Sequence, residues 1–392
     1  MAHNKLELLF DFISQSFPKS FPQIRKENLI NENLFSPFVI DLPVEVLKNV
    51  QSFVKRVYEI KNSSAYQEEL PPELSFKSFP DYPSILTCFD FHYTPEMGLK
   101  LIEINTNASL YMPIVLQGCA QGETCCDPTM DHLYASFKAA FDFKDGDAIN
   151  ILDEIPQNEG LYFEFLLYKE WFESLGHPCE ILSLADYPKN KANNIYNRYN
   201  DFYLSEEKSK TLREDYLSGQ VRFSPNPREY ALLADKRRMN LLRKHLLKND
   251  ETLAKIIPET FLFGDFDSAD EIWAQRKKFF FKPSQSYGSK GVFNGRGISR
   301  KAFEGIYSPD FLAQELAPPG KMSFEYEGEA IEMKFDLRFF TFAGQVQNYG
   351  ARIYQGQTTN VRTPLGGITP LRFQPKDPCD PAFGCVALSG AH

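Results

Sequence analysis

Residues 99–105 read Leu-Lys-Leu-Ile-Glu-Ile-Asn. Polar and apolar residues alternate there around β-branched positions, the two-residue period of a strand, so Glu103 and Asn105 at i and i+2 project from one face. Phe89-Asp90-Phe91 upstream can serve as a partner strand, and a turn across Pro95 to Gly98 brings Asp90 to the same face. Two carboxylates and an amide oxygen are hard oxygen ligands of the kind Mg²⁺ takes, completed by water and substrate phosphates. A polar strand face satisfied by its own neighbours has the same pattern, and these residues alone leave both readings open.

A second feature lies far downstream. The hydrophobic run Lys278 to Phe281 predicts a strand, and Lys282-Pro283 follow it. Ser284, Ser286, Gly288, Ser289 and Gly291 then supply a small stretch whose backbone N–H groups can close over phosphates, while Lys282 adds a point charge. The stretch matches neither G-x-x-x-x-G-K-[ST] nor G-x-G-x-x-G. A plain Gly/Ser turn between two strands also fits it.

Composition narrows the class. At 392 residues the chain is long enough for two or three modules and a sizeable core. A formal charge of −9 argues against a nucleic-acid partner, because phosphate-backbone binding needs clustered Lys and Arg. The basic runs at 236–238 and 243–245 fit a nucleotide-facing lysine plus a solvated helix face. With 35 Phe and 19 Tyr the interior is expected to be aromatic-rich. The seven cysteines are odd in number and show no C-x-x-C pairs, and Cys125-Cys126 reads as a reduced structural pair. The N-terminus has no signal-peptide profile and no run approaches a membrane span, so a cytoplasmic protein without a membrane partner is expected.

Residues 5–17 and 43–63 carry helical periodicity, and 130–141 another helix. The stretches 147–154, 160–176, 178–187, 194–204 and 206–219 alternate between strand and helix patterns, which predicts a small parallel α/β unit. The expected division is 1–145, a helical segment carrying the ligand strands; 146–225, the α/β unit; and 226–392, the nucleotide-binding region.

An ordered set surrounds the two features. Upstream of the loop, NPREYALLADKRRMNLLRKH (226–245) predicts an amphipathic helix with Asp235-Lys236 near its start. Downstream come FLAQELAPPGK (311–321), MKFDLRFFTFAGQVQNYGARI (333–353) and QGQTTNVRTPLGG (355–367). Together these resemble the ATP-grasp enzymes, with glutathione synthetase and the circularly permuted glutathionylspermidine synthetase group nearest by motif. The carboxylate strand usually follows the loop in such enzymes; here it precedes it, and no acidic strand follows Phe373. The resemblance therefore implies an α/β (α+β) chain with an ATP-grasp fold, permuted metal-ligand strands and a preceding pre-ATP-grasp unit.

The resemblance also implies roles. Lys236 and Lys282 would reach the nucleotide, with the loop residues Ser286, Gly288, Ser289 and Gly291 over its phosphates. Gln314, Glu315 and Leu316 would form the hinge that meets adenine and ribose. Asp90, Glu103 and Asn105 would hold Mg²⁺, and Arg338 and Arg352 would face the phosphates and the reacting carboxylate. Asn360 is an outsider that either contacts metal or substrate or turns its loop. His92 is a wall residue sooner than a base. The expected activity is an ATP-dependent carboxylate–amine ligase working through an acyl phosphate and releasing ADP and phosphate. Its expected partners are a small carboxylate and an amine: amino acid, peptide or polyamine. The alternatives are an ATP-grasp phosphotransferase and a nucleotide-binding protein with little turnover.

Overall fold

The computed structural model describes residues 2–71, 76–123, 126–190, 193–285, 291–356 and 363–374. The strands run β1 (Ile40–Pro43), β2 (Thr87–Thr94), β3 (Gly98–Asn105), then β4 (Ile149–Asp153), β5 (Ile181–Ser183), β6 (Asn194–Asn197) and β7 (Arg222–Ser224). They continue with β8 (Thr260–Leu262), β9 (Phe279–Pro283), β10 (Phe293–Asn294) and β11 (Phe311–Glu315). The last four are β12 (Gly320–Tyr326), β13 (Glu329–Phe342), β14 (Gln345–Tyr354) and β15 (Gly367–Gln374).

The largest sheet runs β1-β15-β14-β13-β2-β3, with β12 also on β13. β13 and β14 form a hairpin whose turn residues Ala343 and Gly344 both have positive φ, 48° and 86°, the backbone that matches the twist of paired strands. The early strands belong to this sheet: β2 pairs antiparallel with β13, Arg338 opposite Asp90, and β1 pairs parallel with β15. The strands carried by residues 1–145 thus share a sheet with those of residues 320–374.

Alternation along these strands assigns each face. Phe89, Phe91, Leu337, Phe339, Ala351 and Ile353 enter one core with helix Val44–Lys61. Cys88, Phe340 and Ile368 enter a second core on the opposite face, with helix Tyr111–Ala120. That helix lies so close that a Cβ on Gly350 would come within 2.8 Å of Ile114 Cδ1. Asp90, Asp336, Arg338 and Arg352 share the second face by the same two-residue period.

A four-stranded parallel sheet, β5-β4-β6-β7, spans 149–224, and an antiparallel one, β10-β9-β11-β8, lies downstream. Two expectations differ from the structure. Residues 226–245 are not one helix: a turn at Pro227–Glu229 and a π-helical turn at Tyr230–Ala234 end at Asp235, whose ψ of 118° is extended, and helix starts again at Arg238. Asp235 causes the break, since its carboxylate accepts from Arg237 N–H and from Tyr203 Oη, giving the chain local partners other than a helix ladder. Cys126 is not a reduced thiol, being disulfide-bonded to Cys119; Cys125 lies outside the described residues. No helix among the described residues is long and apolar enough to cross a membrane.

Candidate active site

All three sheets contribute to one cavity of about 380 Å³. Its lining includes Asp90, Glu103, Asn105, Lys236, Lys282, Gln314, Glu315, Arg338 and Arg352, gathered from positions up to 262 residues apart.

On the floor, Asp90 and Glu103 stand opposite each other across β2 and β3. The Asn105 amide Nδ2 donates to both, at 3.1 Å to Asp90 Oδ2 and 3.1 Å to Glu103 Oε1. Asp90 also accepts from Arg338 Nε at 3.0 Å and Arg352 Nη2 at 3.2 Å. Arg352 closes a two-pronged contact on Asp336, 2.7 and 3.0 Å, the geometry suited to a planar guanidinium. Burial pushes the Glu103 carboxyl up, but Lys236 and Lys282, with the Asn105 hydrogen bond, outweigh this and hold it below the ordinary range.

Lys236 Nζ lies 3.7 Å from Glu103 Oε2. The break at Asp235 turns this lysine into the cavity, and Lys236 N–H anchors the turn on Ser284 O at 3.2 Å. Lys282 Nζ donates to Gln314 Oε1 at 2.6 Å and Ile102 O at 3.2 Å, and forms no salt bridge among the described residues. Burial pushes its ammonium down to about 8. Glu103 and Asp90 act on it in the opposite direction, from across the cavity.

The three residues expected at the hinge are placed differently. Gln314 and Glu315 line the cavity, whereas Leu316 does not, and its N–H is committed to Lys278 O at 2.8 Å. Ala317 lines it instead, its carbonyl facing His92 Nδ1 at 2.7 Å. His92 lines the cavity, and burial pushes its imidazole down. Gly291, with φ 70°, packs beside Pro283, where a Cβ would lie 3.0 Å from the ring. Its neighbour Val292 reaches the cavity. Ser286, Gly288, Ser289 and Asn360 lie outside the described residues.

The other end of the cavity abuts the parallel sheet. Asp153 is the last residue of β4 and Arg198 directly follows β6, so both sit at carboxyl ends of parallel strands, where open α/β sheets bind ligands. Arg198 is buried and donates to Asn107 Oδ1, Ala108 O and Ser109 Oγ. Its Nε has no partner and no carboxylate forms a salt bridge with it among the described residues. Burial pushes the Asp153 carboxyl up to about 7. The connection between the two ends is strained: Leu110 is left-handed at φ 78°, and its N–H is gripped by both oxygens of buried Glu164, 3.0 and 3.1 Å. Just before it, Ser109 O accepts from Arg338 Nη1 at 3.3 Å. Sequence reasoning did not single out Asp153, Arg198 or Glu164; for Asp153 the available signal was the end of the strand pattern at 147–154, whereas Glu164 lies on a helix and Arg198 within the stretch 194–204.

Among solved structures, a glutathione synthetase-like effector from Globodera pallida in its apo form matches with a TM-score of 0.54 and 12% identity, covering 86% of this chain and 90% of its own. The fold is that of the glutathione synthetase-like proteins. A protein provisionally named gamma-glutamylcysteine synthetase, from Methylobacillus flagellatus KT, matches at a TM-score of 0.48 and 10% identity, over 84% of this chain and 88% of that one. No family model and no curated protein matches the sequence. The likeness to the Globodera pallida protein is thus one of backbone arrangement, at 12% identity.

Proposed function

We propose that the protein is an ATP-dependent carboxylate–amine ligase that forms an amide through an acyl phosphate, releasing ADP and phosphate. The observation that carries this reading is the convergence of two lysines, two arginines and the Asp90–Glu103–Asn105 group on one cavity that continues to the carboxyl ends of a parallel sheet. It rests on a division of labour among the sheets: nucleotide between the antiparallel sheet and the large one, acceptor against the parallel unit.

Among the described residues no three His, Cys, Asp or Glu side chains gather as a metal site, so Mg²⁺ would rest on two carboxylates and an amide. The donor chemistry fits: Asp90 and Glu103 are hard oxygens side by side, and Asn105 offers its oxygen when the amide turns. Asp90 already accepts from both arginines, so it fits by releasing one of them. Bound there, Mg²⁺ would neutralise phosphate charge.

Lys236 and Lys282 hold the β- and γ-phosphates in line while the substrate carboxylate attacks the γ-phosphorus. Arg352, freed from Asp90 and still oriented by its two-pronged contact with Asp336, presents its remaining N–H groups to the acyl phosphate and the developing oxyanion. The amine then displaces phosphate from the carbonyl.

The test is purified protein with Mg-ATP and pools of amino acids, short peptides and polyamines, recording phosphate release and product mass. Hydroxylamine in place of the amine is expected to give a hydroxamate. A stable phosphorylated alcohol and no hydroxamate would make the protein a phosphotransferase.

A further inference from the structure

The acceptor end of the cavity has a third component besides its cation and its carboxylate. Leu161 and Phe165 both line it. Leu161 caps helix Tyr162–Ser174, the first long helix after β4, and Phe165 lies in its first turn, so both come from one end of the helix. Glu164, on the same turn, is withdrawn into its contact with Leu110 N–H. Phe165 is 3% exposed and anchored in the core around helix Tyr111–Ala120, so this wall is rigid.

Resting on the ligase reading, we infer that the acceptor site selects an amino acid, free or at the end of a short peptide, with an apolar side chain. Its side chain packs on Leu161 and Phe165, its carboxylate meets the Arg198 guanidinium and its amino group faces Asp153. A glutamate acceptor would set its side-chain carboxylate against this wall and near Glu159, a like charge, and a lysine or polyamine would bring to the wall a charge that only Glu159 meets. An apolar wall discriminates by side-chain size only modestly, about 10- to 200-fold per methylene-scale difference. Leucine or phenylalanine is therefore expected to bind at least about tenfold tighter than alanine.

Calorimetric titration of the full-length protein with L-leucine, L-phenylalanine, L-alanine, L-glutamate, L-lysine and spermidine, without ATP, separates this inference from the ligase reading. Tightest binding of leucine or phenylalanine supports it, whether or not phosphate is later released. Tighter binding of glutamate, lysine or spermidine overturns it, even if ligation proceeds. Leu161→Asn and Phe165→Gln, each checked for an intact fold by circular dichroism, are expected to weaken leucine at least about tenfold. They should narrow the gap to the polar ligands. Unchanged leucine affinity in both variants would also overturn the inference. The same ranking is expected in kcat/KM for product formation.

Discussion

At the scale of single residues, the cavity gathers charges of both signs, among them Asp90, Glu103, Lys236, Lys282, Arg338 and Arg352. Glu103 is the acid least committed to guanidinium, with Lys236 at 3.7 Å. Glu103→Gln keeps its shape and removes its charge, so ATP turnover with a confirmed substrate is expected to fall by about 100-fold or more. Near-wild-type turnover would remove Glu103 from the metal set. Asp153 supplies a pH signature. Its folded carboxyl lies at about 7 against an ordinary 3.8, so its contribution to stability is fully present below pH ~4 and is lost as pH rises through ~7. Three pKa units correspond to at most about 4 kcal/mol. Urea unfolding across pH 4 to 8 is expected to show this slope, and Asp153→Asn to flatten it. An unchanged slope would assign the effect to other groups.

At the scale of elements, β13 is the strand on which the site is assembled. It pairs with β14 on one side and with β2 and β12 on the other, which sets Arg338 opposite Asp90 and Asp336 opposite Arg352. Its register is held by aromatic packing: Phe91 is fully buried with ring neighbours Phe53, Phe89 and Phe339. Phe91→Ala is expected to cost about 3–5 kcal/mol in urea unfolding, the range for a buried aromatic truncated in a core. A loss below 1 kcal/mol would mean that the β2–β13 seam carries little of the stability. The alternation that sends Phe91 into this core sends Asp90 into the cavity. For β3 that division was legible in the sequence, since LKLIEIN has the period of two. The helix over 226–245 was misread because its apolar spacing continues through Asp235; the break arises from Tyr203 and Arg237, which the linear pattern does not display as partners.

For the whole molecule, ligand and fold are coupled, because the cavity is walled by all three sheets. Mg-ATP at about 100 times its Kd is expected to stabilise the protein by about 2.7 kcal/mol, read as a rise in Tm. Arg352→Lys should suppress hydroxamate formation, since a point charge cannot make the two-pronged contact Arg352 now makes with Asp336. A Tm unmoved by Mg-ATP would count against a nucleotide in this cavity. The sequence by itself determined the parts that depend on local periodicity and chemistry: the strand face bearing Glu103 and Asn105, the lysine after the hydrophobic strand, and the alternation of β4 to β7 with helices. Only the tertiary structure decided the register in which β2 pairs with β13, Arg338 opposite Asp90. It alone brought Arg198 and Asp153 to the same cavity, put Ala317 rather than Leu316 on that cavity's wall, and joined Cys119 to Cys126. The physical reason is that periodicity specifies which face of an element is buried, whereas the partner covering that face is chosen by the packing of the whole chain.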